Sequence, residues 1–297
     1  MAAGRNRAAL GLLATLALAA CASPTPREAG PRPALWQVAD EDTKIYLFGT
    51  FHLLPKDYRW RTPRLDSAMA ESAELVTELG TLDDPMAGMQ TIVSLGVSPN
   101  LPPLAERVPE EKRDELRQMI AESGVPEAAL DRLETWAAAI SLLGVTFKRL
   151  GLDAEAGVEH GLEGVYKSAG KPIRGLETVR QQLGFFDSLP EADQRAFLVA
   201  MLDDPAELKR MFDRMVAAWS SGDVDAIAAT FNDDVNVSPA LREILLRRRN
   251  AAWADWLRSR LEKPGTIFVA VGAGHLAGPD SVQAMLKAKG LKAKRLQ

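Results

Sequence analysis

The sequence predicts an α/β fold, a mostly parallel central sheet covered by helices with a large helical insertion, and three observations carry that prediction. Residues 265–272, "GTIFVAVG", form a continuous Ile, Phe and Val run, as in a parallel strand buried on both faces. Residues 44–49, "KIYLFG", and 74–80, "ELVTELG", read as two further strands around a helical stretch, giving the order strand, helix, strand. The middle of the chain is helical in its apolar spacing.

In chain order, "KIYLFG" is apolar and aromatic and is ended by a glycine. Thr62-Pro63 supplies an N-cap and a first-turn proline, and Leu65, Met69 and Ala73 recur at helical spacing. "ELVTELG" follows, with Glu78 at its end. The insertion spans roughly residues 86–165, where Leu133, Trp136, Ile140, Leu143 and Phe147 form one helix face and Gly151 stands where a C-terminal glycine belongs. "KPIRGLE", residues 171–177, is a short strand ending at Glu177, and helical runs follow around 191–202, 206–219 and 238–262. Pro279 is expected to start a last helix that ends by Gly290, with "LKAKRLQ" as an edge strand.

The chain opens with a short basic region, "MAAGRNR", and the apolar run "AALGLLATLALAA", which has signal-peptide length and is too short to span a bilayer. The run ends at Leu18-Ala19-Ala20-Cys21, which resembles a bacterial lipoprotein signal. The expectation is therefore a signal peptide over residues 1–20, lipidation at Cys21, a proline-rich flexible tether to residue 34 and one domain from 35 to 297. Cys21 is the only cysteine, so no intramolecular disulfide can form. The absence of Asp after Cys21 favours the outer membrane, facing the periplasm. Removing residues 1–20 takes away Arg5 and Arg7 and no acid, leaving 34 basic against 40 acidic residues, a formal charge of −6. That balance argues against a nucleic-acid partner. Arg247 and Arg248 are read as a solvated helix face.

Of three histidines, two occupy the same Gly-x-x-His frame just past a strand: Gly49-Thr50-Phe51-His52 and Gly272-Ala273-Gly274-His275. Open parallel sheets bind ligands beyond the carboxyl ends of their strands, so both frames point to a functional pair. Gly49 and Gly272 are expected to take backbone angles that other residues avoid, turning the chain over the sheet edge. Imidazole there suits metal ligation or general-base work. His160, beside Glu159 in "GVEHGLEG", is read as a structural residue. "GAGHLA" matches the dinucleotide fingerprint, yet the chain ends without the further strand and acid that such a unit needs, so no nucleotide is expected. Glu78 and Glu177, each closing a strand, are the candidate carboxylates, although Glu177 precedes Thr178 and also suits a helix cap. Arg249-Asn250 suits a substrate carboxylate or a developing oxyanion.

The segments "YLFGTFHLLP", "ELVTELG", "GVEHGLEGVYKSAGKPIRGLET", "LLRRRNAAW" and "IFVAVGAGHLAGPDSVQAMLKAKGLKAKR" stand in the order and approximate spacing of the TraB/PrgY/GumN family. The chain resembles that family along its whole length after the tether. The resemblance implies relatedness to the animal Tiki proteins, membrane-anchored metal-dependent proteases with two Gly-x-x-His motifs and an essential glutamate. It implies that His52 and His275 are the catalytic or metal-binding pair, with Glu78 first and Glu177 second as the glutamate. A wider similarity to erythromycin-esterase-like and ChaN-like α/β proteins implies the same fold and leaves room for a metal-free histidine base. Many relatives carry aspartate at Glu159, which makes Glu159 a further candidate.

The expectation is an envelope hydrolase, a peptidase dependent on a divalent metal (Mn, Co or Zn), with His52, His275 and Glu78 around the ion and Glu177 and Arg249 in support. Its partner would be a peptide or protein substrate, and its membrane attachment the lipid anchor. The alternatives are a metal-free histidine-base hydrolase and a non-catalytic protein that sequesters a peptide or another ligand. The sequence specifies neither the oligomeric state nor whether residues 81–103 form a lid.

Overall fold

The computed structural model describes residues 30–81, 85–233 and 238–297. The expected signal peptide, Cys21 and the tether up to residue 29 lie outside them. An unanticipated hairpin opens the fold: β1 (Leu35–Ala39) runs antiparallel to β2 (Thr43–Thr50) across a turn in which Asp40 Oδ1 accepts from Thr43 N at 2.8 Å. Thr62 caps α1 (Pro63–Glu71) as expected, and β3 (Glu74–Thr77) completes the strand, helix, strand unit. Leu65 and Met69 are buried with Ala68, whereas Ala73 lies beyond the helix end.

Helices α2 (Pro85–Gly96), α3 (Arg113–Ser123), α4 (Glu127–Leu130), α5 (Thr135–Leu150) and α6 (Val158–Ser168) separate β3 from β4 (Ile173–Gly175). A second helical stretch follows: α7 (Val179–Asp187), α8 (Glu191–Ala200), α9 (Pro205–Ser221), α10 (Val224–Asp233), α11 (Pro239–Arg242) and α12 (Arg248–Leu261), the last two joined by a π-helical turn at Glu243–Arg247. The chain closes with β5 (Gly265–Gly272), α13 (Val282–Ala288) and β6 (Lys294–Arg295).

Among the described residues the strands form one six-stranded sheet in the order β4-β3-β5-β2-β1-β6. The four strands from β4 to β2 are parallel; β1 and β6 add an antiparallel edge. Alternate side chains face opposite layers. Phe48, Leu75, Phe268 and Ala270 pack with α1, α6 and α9, while Ile45, Leu47, Val76, Ile267 and Val269 pack with α12 and α13. The burial of β5 on both faces is thus as its apolar run predicts.

Two expectations change, and the helical insertion gains a partner. Trp136 is fully buried as expected, but the main buried side of α5 is centred on Ala138, Leu142 and Val145, with Ile140, Leu143 and Phe147 only half-buried. The small residues Ala137–Ala139 let neighbours approach closely: a Cβ on Gly96 of α2 would stand 2.5 Å from Ala137 Cβ. A pattern drawn through the large residues alone therefore finds Trp136 and misses the side packed on α3 and α8. The helical insertion is not closed on itself, because Leu198, Met201 and Leu202 from the second stretch complete its core with α3 and α5. The last helix begins at Val282 with Ser281 as its cap rather than at Pro279, since Gly278 takes φ 79° and holds residues 278–280 in a turn. Of residues 81–103, 85–96 form α2, packed on α7, and 82–84 lie outside the described residues.

The loop after β2 is held against α6 at Gly157, where a Cβ would stand 2.1 Å from the carbonyl oxygen of His52. Gly157→Ala is expected to destabilise the protein by about 1–3 kcal/mol, as overpacking of a tight site does, and to displace His52. Urea unfolding beside the parent protein measures the cost.

Candidate functional site

β2 and β5 are parallel neighbours with Thr50 opposite Gly272, so both Gly-x-x-His frames leave the sheet at one carboxyl edge. They leave it one residue out of step, because Gly49 pairs with Val271. β3, on the other side of β5, brings Glu78 to that edge, and the chain after β4 brings Glu177 beside it, Glu177 N donating to Glu78 O at 2.8 Å. Neither frame glycine has a positive φ, which corrects the expectation of unusual backbone angles. They serve close approach instead. A Cβ on Gly49 would stand 3.0 Å from Ala273 Cα, and one on Gly272 would stand 3.2 Å from Glu78 Oε1.

Arg249, on α12, is the centre of a buried cluster. Its Nε donates to Glu177 Oε1 at 2.9 Å, and its Nη2 donates to Glu177 Oε2 at 2.9 Å and to Glu78 Oε2. Its Nη1 donates to Leu245 O at 3.2 Å and lies 3.2 Å from His275 Nε2. Every N–H of the guanidinium is engaged within the protein. Arg249 therefore presents no free donor to a substrate carboxylate or oxyanion. The Phe185 and Trp253 rings lie 5.6 and 4.7 Å from its carbon. Glu78 also accepts from Gly272 N at 2.8 Å and from Gln182 Nε2 at 3.0 Å. Burial raises the Glu78 pKa, but His275 and Arg249 outweigh it and lower it to about 2. Burial lowers that of His275 to about 3, with Arg249 adding to the effect, so this ring is neutral at neutral pH. The expected helix-capping role belongs to Thr178 and Gln181, in a capping box, and Glu177 is left to pair with Arg249.

His52 sits differently. Two-thirds of its side chain is exposed, and its Nδ1 lies 2.9 Å from Glu159 Oε1 of α6. Thr50 Oγ1 donates to the same oxygen. Desolvation lowers the His52 pKa, and the Glu159 carboxylate outweighs it and raises the value to about 9. Because the ring is largely open to water, salt screens that effect. Among the described residues no hydrogen-bond partner meets Nε2. His52, Glu78, Glu159 and Gln182 line a cavity of about 360 Å³ together with His160, Glu163 and Lys167 of α6. His160, assigned no functional part above, is thus on the cavity wall. Arg247 and Arg248 pair with Glu243 on an exposed face, as read.

A divalent ion held by His52, His275 and Glu78 requires converging free lone pairs. Here both oxygens of Glu78 are engaged, and His275 Nε2 faces the Arg249 guanidinium. His275 Nε2 stands 3.8 Å from Glu78 Oε1, and a cation of the protein's own already serves both groups. Among the described residues no three His, Cys, Asp or Glu side chains are grouped as ion ligands. The expected set does not fit an ion in this arrangement.

The site's residues were partly visible in sequence. The carbon-copy frames and the strand-end glutamates led to His52, His275, Glu78, Glu177 and Arg249, four of which meet in one cluster. The partner of His52, Glu159, carried only a substitution-pattern signal, and Gln182 carried none. Asn250, whose Oδ1 lies 2.6 Å from His275 Nδ1, was signalled only by its place beside Arg249.

Sheet, cluster and open histidine together define an α/β protein with its polar equipment gathered at the strand carboxyl ends. The TraB/PrgY/gumN family model matches residues 34–295, and the chain belongs to that family. The protein YbaP of Escherichia coli (strain K12), described as uncharacterized, is 28% identical over 265 residues, covering 86% of this chain and 92% of its own. YbaP of Shigella flexneri is 28% identical over 252 residues, covering 82% and 87%. An uncharacterized protein of Treponema pallidum (strain Nichols) is 24% identical over 264 residues, covering 83% and 78%. No solved structure matches.

Arg249→Ala leaves Glu78 and Glu177 buried without their cation, and is expected to cost about 3–5 kcal/mol. Arg249→Lys restores part of this, since an ammonium cannot make the paired contacts; chemical denaturation of the three proteins checks the order. Glu159→Gln is expected to lower the His52 pKa towards the ordinary histidine range, read by NMR titration of its ring.

Proposed function

We propose that this protein is an envelope hydrolase of peptides or proteins, lipid-anchored at Cys21 and facing the periplasm from the outer membrane, with His52 as its general base. The observation that carries this reading is the His52–Glu159 pair: the carboxylate holds Nδ1 while Nε2 is left open on a cavity that also holds Glu78. A carboxylate behind a histidine orients the ring and stabilises its charged form. In the proposed reaction Nε2 takes a proton from water as the oxygen adds to a carbonyl carbon. The imidazolium then returns that proton to the leaving amine as the carbon–nitrogen bond breaks, which yields a carboxylic acid and an amine. Glu78, kept ionised, favours the imidazolium electrostatically.

The pH dependence follows from the sign of the shift. The base works deprotonated, so activity rises with pH through a His52 pKa that Glu159 holds above the ordinary histidine range, and Glu159→Gln moves this limb to lower pH.

The test is turnover of a peptide library by residues 22–297, without metal and after loading with Mn²⁺, Co²⁺ or Zn²⁺, beside a folded His52→Ala variant. Cleavage without metal that is lost in His52→Ala is the expected result. Cleavage only after loading, with about one bound ion per chain, replaces this reading with the metal-dependent peptidase. Saturable peptide binding without cleavage replaces it with a sequestering protein.

A further inference from the structure

The two frame histidines differ in what their ring nitrogens meet, and for His275 the proton count has one solution. A guanidinium only donates, so His275 Nε2, 3.2 Å from Arg249 Nη1, must offer its lone pair. On the other side of the ring, Nδ1 faces Asn250 Oδ1 at 2.6 Å. The orientation of that amide is set independently, because Asn250 Nδ2 donates to Asp280 O at 2.8 Å and this turns Oδ1 towards the ring. Nδ1 therefore carries the proton. Both nitrogens are saturated and His275 is buried, so it offers no atom to a reacting group.

The two residues that grip the ring are consecutive. Both belong to α12, where successive side chains diverge by about 100°. Here Arg249 and Asn250 are both buried and reach opposite sides of one imidazole. The π-helical turn Glu243–Arg247 lies immediately upstream, and one of its carbonyls, that of Leu245, accepts from Arg249 Nη1. Such turns insert one residue into a helix and re-aim the side chains beside it.

We infer that Asn250, presented by this π-turn, is a positioning residue: it holds His275 as the neutral Nδ1–H tautomer, whose Nε2 fixes the Arg249 guanidinium and through it Glu78 at the cavity. His275 is then a positioning residue as well, and the paired frames divide the work, one histidine facing substrate and the other holding the charge behind it. The catalytic meaning rests on the hydrolase reading above; the tautomer does not.

Long-range ¹H–¹⁵N spectra of the histidine rings at neutral pH test this on residues 22–297. With three histidines, His52→Ala and His160→Ala assign the signals. The expected result is a single His275 tautomer with a protonated Nδ1 and a pyridine-type Nε2. In Asn250→Ala the Nδ1 proton should leave its strongly hydrogen-bonded position, and kcat should fall about 10–100-fold with KM unchanged, the size of effect that orienting partners have. A wild-type His275 that is Nε2-protonated, an imidazolium or a mixture of tautomers overturns the inference, even if Asn250→Ala does not fold. An Asn250→Ala protein with unchanged ring signals and unchanged kcat overturns it too. If the tautomer is as expected and His52→Ala still cleaves, the assignment of His52 as the base fails and the positioning of His275 stands.

Discussion

Two buried carboxylates and one buried guanidinium hold the carboxyl edge of the sheet together. Glu78 follows β3, Glu177 follows β4, and Arg249 reaches both from α12, while the Gly272 amide at the end of β5 donates to Glu78. Three neighbouring strand ends and one helix thus converge on a single cation. Ions in such a place are costly to desolvate, and the cost is met only where every carboxylate oxygen and every N–H finds a partner. The cluster meets that condition, with Gln182 and Leu245 O taking the remaining places. The edge is built stiff and charged, a suitable backing for a cavity whose other wall is the exposed face of α6.

The repeated Gly-x-x-His frame is a repeat of backbone, not of chemistry. Its glycines occur because the two loops touch: Gly49 abuts Ala273, and Gly272 abuts Glu78. With the frames offset by one residue across parallel strands, one histidine goes inward onto Arg249 and Asn250 and the other stays at the cavity against Glu159. Their surroundings then separate their proton affinities, burial pushing His275 down and the Glu159 carboxylate pushing His52 up. Groups pushed apart in this way are suited to different tasks.

Much of the fold was legible where one element's own pattern decides it. The continuous apolar run of β5, the Thr62-Pro63 cap and the Gly151 terminus each carry a local physical signature. The hairpin β1–β2 was missed because β1 is five residues of mixed polarity. The buried face of α5 was recovered only in part: Trp136 is buried as expected, while small residues take the side packed on α3 and α8.

By itself the sequence determined the α/β class, the strand ends and the residue types gathered there, because apolar runs, caps and a repeated motif are properties of short segments. It also carried the family. Only the tertiary structure decided which histidine is open, that Arg249 is spent on Glu78, Glu177 and His275, and that Glu159 rather than Glu78 stands behind His52. These are matters of sheet register, of a one-residue π insertion and of contacts between residues 26 to 171 positions apart. Burial and hydrogen bonding set the charge of each group, and neither is a property of a residue until its neighbours are in place.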